Sequence, residues 1–103
     1  MIEPPLTVSV DVVNQPPVVT AAGDIDLANV EEFKDSLTRA ARDTAAIAVD
    51  ISRIRYCDSA TIGALFELAA TTAVTLIVSH TGPIRTSLRI SGLDRIVAVR
   101  VAE

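Results

Sequence analysis

The sequence predicts an α/β fold: an N-terminal β-hairpin, then alternating helices and strands in a mostly parallel mixed sheet. Three observations carry that expectation. Leu6 to Val13 alternates apolar and other residues and ends at a proline-rich turn. From Val30 onward, segments of helical period alternate with short apolar runs of strand length. Half of the 103 residues are apolar, chiefly Val, Ile, Leu and Ala with only three aromatics, as in buried parallel strands.

The elements follow in order. Leu6, Val8, Val10 and Val12 share one face of a half-buried strand. Asn14-Gln15-Pro16-Pro17 makes the turn, and Val18 to Ala22 returns as the antiparallel partner. Asn29 with Glu32 three residues on reads as a capping box opening a helix from Val30 to Arg42. Val30, Phe33, Leu37 and Ala40-Ala41 recur at helical spacing, while Glu31, Lys34, Asp35 and Arg39 face outward. Ala45 to Ile51 is a buried strand, and Ser52 to Cys57 a polar turn leading to Asp58-Ser59. A second helix spans Ala60 to Thr72, with Ile62, Leu65, Phe66 and Ala69 toward the core. Ala60, Ala64 and Leu68 form an outward stripe beside Ser59, a candidate docking surface. Val74 to Ser79 is a strand, Pro83 opens a short third helix that Gly92 stops, and Ile96 to Val101 is the last strand.

Length and charge bound the function. One domain spans residues 1–103, of the size at which single domains are commonest. The net charge of −4, without a basic run or aromatic platform, argues against nucleic-acid binding. Neither a signal segment nor an apolar run of membrane-spanning length is visible, so a cytoplasmic domain without membrane insertion is expected. A single cysteine, Cys57, gives no disulfide framework and no zinc spacing. No cofactor is expected.

Asp58 and Ser59 are both helix N-cap residue types, and the alternation places them at the carboxyl end of a strand, where open α/β sheets put their sites. Enzymatic readings fit poorly. Asp24-Ile25-Asp26 has the Asp-x-Asp form of Mg²⁺-dependent phosphatases, but the only lysine, Lys34, sits on the outward face of a helix. The only histidine, His80, falls in a loop, and Ser59 lacks the Gly-x-Ser-x-Gly elbow of serine hydrolases. No enzyme is expected. Beside the structural reading, in which Ser59 caps the helix with help from Asp58 and does nothing more, a third reading makes Ser59 an acceptor of phosphate, which adds roughly −1.5 to −2 charge at a helix N-terminus that tolerates it. The modification would then alter binding without unfolding the domain.

Gly23-Asp24-Ile25-Asp26-Leu27, Val49-Asp50-Ile51, Cys57-Asp58-Ser59-Ala60-Thr61-Ile62-Gly63-Ala64-Leu65 and the final Gly92-Leu93 together resemble the STAS domain of anti-sigma factor antagonists. That resemblance implies a STAS-like fold and a partner-switching role. The unphosphorylated form binds an anti-sigma factor with serine kinase activity and frees the sigma factor; a serine phosphatase resets it. Carried over, Ser59 is the phosphoacceptor, with Thr61 a second candidate. The partner surface then comprises Asp24, Asp26, Asp58, Ser59, Ala60, Thr61, Ala64 and Leu68. Thr61 stands where the family usually has glycine, so a branched side chain is expected to crowd the hydroxyl. Relatives commonly carry a further C-terminal helix; the sequence ends at Glu103, so either this is a minimal version or another subunit covers the apolar edge. A monomer or weak homodimer is expected. The alternative is a constitutive STAS-like interaction module of a transporter or multi-protein signalling complex.

Overall fold

The computed structural model describes residues 4–13 and 15–102. Strands β1 (Leu6–Asp11) and β2 (Val18–Ile25) form the expected hairpin, paired antiparallel from Leu6 opposite Gly23 to Asp11 opposite Val18. Asn14 of the expected turn lies outside the described residues. Helix α1 (Val30–Ala41), strand β3 (Ala46–Cys57), helix α2 (Ser59–Ala69), strand β4 (Ala73–Val78), helix α3 (Ile84–Ser91) and strand β5 (Ala98–Val101) follow. The five strands lie in sequence order, with β2 through β5 all parallel.

That order has a geometric consequence. Each helix crosses from one parallel strand to its immediate neighbour in the same direction, so right-handed crossovers place all three helices on one face. The core agrees. Val19, Ala21 and Ile25 of β2, Ile47 and Val49 of β3, and Leu76 and Val78 of β4 form one cluster with Phe33, Leu37, Leu65 and Leu88 from the helices. Ala48 and Ile77 are buried too but stand outside that cluster, on the alternate positions of their strands. No helix among the described residues is long and apolar enough to cross a membrane.

Several boundaries differ from expectation. The polar stretch after Ile51 is not a turn: β3 continues through Ser52, Arg53 and Arg55 to Cys57. The strand survives because two irregularities in its pairing with β2 absorb extra residues, between Thr20 and Ala22 and between Gly23 and Asp24. The first is held by Asp50, whose Oδ1 accepts from the Ser52 amide at 2.9 Å and the Ser52 hydroxyl at 2.6 Å. The bulge shifts the inward phase, so Ile51 and Ile54, three residues apart, are both buried. Helix α2 ends at Ala69 rather than Thr72, and a 3₁₀ turn at Leu93–Arg95 delays β5 to Ala98. Val12, expected on the buried face of β1, lies beyond the strand and is 59% exposed.

Gly23 is a position where only glycine fits. Its φ is +108°, and a Cβ there would overlap the carbonyl oxygen of Pro5, which accepts the next amide, Asp24 N–H, at 2.8 Å. Gly23→Ala is expected to destabilise the domain by at least about 2 kcal/mol, from the left-handed backbone together with the overlap. A denaturant titration showing less than about 0.5 kcal/mol would mean that the segment before β1 moves aside freely.

Candidate functional site at the Asp58-Ser59 corner

Helix α2 begins where β3 ends. Asp58 is extended (φ −100°, ψ −176°) and is the N-cap; its Oδ1 accepts from the amides of Ala60 at 3.1 Å and Thr61 at 3.3 Å. Ser59 is the first helical residue and is exposed. Its hydroxyl has no hydrogen-bond partner among the described residues, because the neighbouring aspartate performs the capping.

The adjacent strand contributes a second acidic corner. Ile25 is opposite Cys57 in the β2–β3 register, so Asp26 and Asp58 leave the sheet from neighbouring strand ends, which lie about 4.8 Å apart. Asp26 is fixed by its loop. Its Oδ1 accepts from the Ala28 amide at 2.9 Å, while its own amide donates to Asn29 Oδ1 at 2.9 Å. Asn29 Nδ2 donates to the Asp24 carbonyl at 3.0 Å. The expected capping box is therefore absent: Asn29 spends its side chain on the loop and makes no cap bond to α1. Asp24 lies one step back on β2, with its carboxylate 3.4 Å from the Arg55 guanidinium. That exposed pair contributes at most about 1 kcal/mol.

The predicted stripe on α2 faces elsewhere. Ala64 is only 6% exposed, and Ala64 and Leu68 line a cleft of about 470 Å³ against Lys34, Leu37 and Thr38 of α1. Ala60 is half-buried and packs on the core. Because all helices share one face of the sheet, α2 has α1 for a neighbour, and this stripe meets it. Lys34 spans the cleft to Glu67 at 3.9 Å and also reaches Glu31 at 3.8 Å, so it is less outward than its periodicity implied. Helix α2 is apolar nearly all round: Leu65 is buried and Ile62, Phe66 and Ala69 pack against the core as expected, but its weak amphipathic bias does not separate an outward face.

Thr61, the second candidate acceptor, lies in the first turn of α2. It is 1% exposed, and its Oγ1 is buried with no hydrogen-bond partner. A kinase cannot reach it in the folded domain, and its branched side chain points inward instead of crowding Ser59.

What lies beside Ser59 is a groove of about 310 Å³ between the start of α2 and α3, lined by Cys57, Asp58, Ser59, Ile62, Ile90 and two α3 serines. Ile90 is 80% exposed. The contribution of α3 went unnoticed in the sequence, although Ile90 stands out of phase with the inward pair Ile84 and Leu88, and an apolar residue off its stripe was the available signal. Cys57 is half-buried at the groove floor. Burial, and secondarily the Asp58 carboxylate, raises its thiol pKa above the ordinary cysteine value. His80 lines a different groove, and no group of three acidic, histidine or cysteine side chains among the described residues is arranged to hold a metal ion.

A family model described as Mlab, STAS domain, matches residues 8–99. The chain belongs to the STAS domain family. Its fold is shared with an anti-sigma factor antagonist from Mycobacterium paratuberculosis, at a TM-score of 0.83 and 20% identity over 92% of this chain and 85% of the other. The anti-sigma factor antagonist SpoIIAA in its unphosphorylated form is likewise similar, with a TM-score of 0.73 and 20% identity over 94% and 89% of the two chains. At that identity the likeness establishes the STAS architecture. None of the curated proteins compared gives a significant match.

Three substitutions separate the roles in this STAS domain. Asp58→Ala is expected to cost about 1–2 kcal/mol as two α2 amides lose their acceptor, whereas Ser59→Ala should change stability by less than about 0.5 kcal/mol. Thr61→Val removes an unpaired buried hydroxyl at constant shape and should be neutral or stabilising by up to about 1 kcal/mol. Chemical denaturation ranks the three, and a Ser59→Ala loss matching that of Asp58→Ala would assign the cap wrongly. Alkylation of Cys57 should be slow at neutral pH and accelerate only in alkaline solution, since the thiolate is the reactive form. Asp58→Asn removes a charge that disfavours the thiolate, so its alkylation profile should move to lower pH.

Proposed function

We propose that this STAS domain is an anti-sigma factor antagonist in which Ser59 is the phosphoacceptor. The unphosphorylated form binds an anti-sigma factor with serine kinase activity and so frees the sigma factor. Phosphorylation of Ser59 ends that binding, and a serine phosphatase restores it. The domain acts as a binding partner, without catalysis of its own, in the cytoplasm and as a monomer or weak homodimer.

The observation that carries this reading is the division of work at the start of α2. Asp58 caps the helix, leaving an exposed hydroxyl at Ser59 with no structural duty. A phosphoryl group there benefits from the positive end of the helix, worth about 0.3–1 kcal/mol. The amides of Ala60 and Thr61 are already taken by Asp58, and Asp58 with the adjacent Asp26 repels the added charge. These effects largely offset each other, so the fold is nearly indifferent to the modification. A partner is not. One that buries a neutral serine hydroxyl must instead desolvate a dianion, at a cost of several kcal/mol.

The docking surface in this reading is the Asp58-Ser59 corner, the Asp24 to Ala28 loop with its exposed Leu27, and the α2–α3 groove with Ile62 and Ile90. Ala64 and Leu68 contribute only indirectly, by seating α2 against α1.

The test combines site mapping with binding. Incubation with a cognate kinase and ATP should place phosphate on Ser59 alone by mass spectrometry, and Ser59→Ala should take up none. Ser59→Asp should bind the partner at least about tenfold more weakly than Ser59→Ala, with its melting temperature unchanged within a few degrees. Equal binding by both variants would replace the switch with a constitutive interaction module. Phosphate on another residue would remove Ser59 from the mechanism.

A further inference from the structure

Strand β1 is an edge of the sheet, and among the described residues no strand pairs with its outer side. Edge strands in folded proteins are commonly shortened, bulged, or marked with lysine or proline, which discourages pairing with another chain. Strand β1 has none of these devices. Its six residues contain neither proline nor lysine, and its one charge, Asp11, is the last of them. The pairing with β2 runs from Leu6 to Asp11 without a register shift. The other edge, β5, is only four residues long and carries Arg100.

The pairing pattern shows which groups the open edge presents. The Asp24 amide donates to the Pro5 carbonyl at 2.8 Å, so Pro5 and Asp24 form a hydrogen-bonded pair. Alternation then turns the main-chain groups of Thr7 and Ser9 toward β2, and those of Val8 and Val10 away from the sheet. The side chains beside these outward groups are apolar. Val8, Val10 and Val12 form a groove of about 280 Å³ with Ser36 and Arg39 of α1. Val10 is 37% exposed and Val12 59%.

Charge along α1 decides what fits there. Helix α1 crosses back from the end of β2, so it runs in the same direction as β1. Glu32 and Arg39 lie on one stripe of α1, two turns and about 10 Å apart. Neither has an ion-pair partner among the described residues; the Arg39 guanidinium donates to the Ser36 hydroxyl at 3.4 Å. An acid and a base at opposite ends of one stripe complement the same stripe running the other way. A two-fold axis between two copies of the chain supplies that arrangement.

We propose that β1 pairs antiparallel with β1 of a second copy, with the two-fold axis at Ser9. In that register Val8 of each copy exchanges main-chain hydrogen bonds with Val10 of the other, and one sheet runs through the dimer. The axis stands normal to the sheet, so both helical layers lie on the same side. The valines of the two grooves then meet, and Glu32 of each copy faces Arg39 of the other. One strand edge and a shallow groove bury little surface, so the dimer is weak and exchanging. The interface leaves out Asp58 and Ser59, and it does not depend on the antagonist reading.

Sedimentation equilibrium in roughly 0.15 M salt should show passage from monomer to dimer between about 10 μM and about 1 mM. Val10→Lys, at an exposed edge position, should weaken association at least about tenfold while the melting temperature stays within a few degrees. Arg39→Glu should weaken it about threefold, and adding Glu32→Arg should restore it, because the exchanged charges meet again across the axis. Disulfide trapping in a Cys57→Ser background tests the register. Ser9→Cys puts two thiols on a non-hydrogen-bonded pair with Cα atoms about 4.5 Å apart, a span a disulfide bridges. It should crosslink under mild oxidation, whereas Thr7→Cys, whose counterpart in this register is Asp11, should not. A monomer at about 1 mM overturns the proposal and leaves the edge to a strand of another protein. Association unaffected by Val10→Lys, unrestored by the charge exchange, or trapped equally through both cysteines overturns it as well.

Discussion

One carboxylate at the junction of β3 and α2 governs the character of the candidate site. Asp58 Oδ1 accepts from two of the amides that a helix start leaves open, and the backbone carbonyl of the same residue accepts from Thr61 at 3.1 Å. Had Ser59 performed the capping, its hydroxyl would be engaged and any change to it would weaken the first turn by about 1–2 kcal/mol. Because Asp58 does so, Ser59 begins the helix with its side chain unoccupied. Structural duty and functional availability fall on adjacent residues.

The position of that junction depends on the sheet. Strand β3 is twelve residues long and passes two irregularities before it reaches Cys57. The Asp50–Ser52 hydrogen bonds satisfy polar groups at the first of them, and the change of phase keeps Ile54 inward after Ile51. By its end the strand is in register with β2, with Cys57 opposite Ile25. Asp26 and Asp58 thus emerge side by side, and Asn29 stiffens the loop that carries Asp26. The acidity of the corner comes from strand pairing, since the two residues are far apart in the chain.

The helices divide the surface. With every crossover in the same direction, α1, α2 and α3 form one layer, and α2 lies between the other two. One side of α2 closes on α1 through Ala64, Leu68 and the Lys34–Glu67 pair. The other side forms the apolar groove with α3 beside Ser59. Helix α3 in turn presents Ile90 to that groove and its arginines to the opposite one. A single short helix therefore separates an apolar surface from a cationic one.

Much of this was legible in the residues alone. Alternation in Leu6 to Val13 gave the hairpin, and the recurrence of Val30, Phe33, Leu37 and Ala40 gave α1, because period is a local property set by backbone geometry. The Asp58-Ser59 corner was visible for the same reason: a cap is made by neighbours in the chain. Three things were not local. Ser52 to Cys57 looked like a turn because pairing with β2, and not its own composition, keeps it extended. The outward stripe of α2 proved to be a helix contact because an all-round apolar helix takes its faces from whatever packs against it. The burial of Thr61 and the arrival of Ile90 beside Ser59 were likewise decided by how three helices share one face of a sheet, which no stretch of sequence encodes by itself.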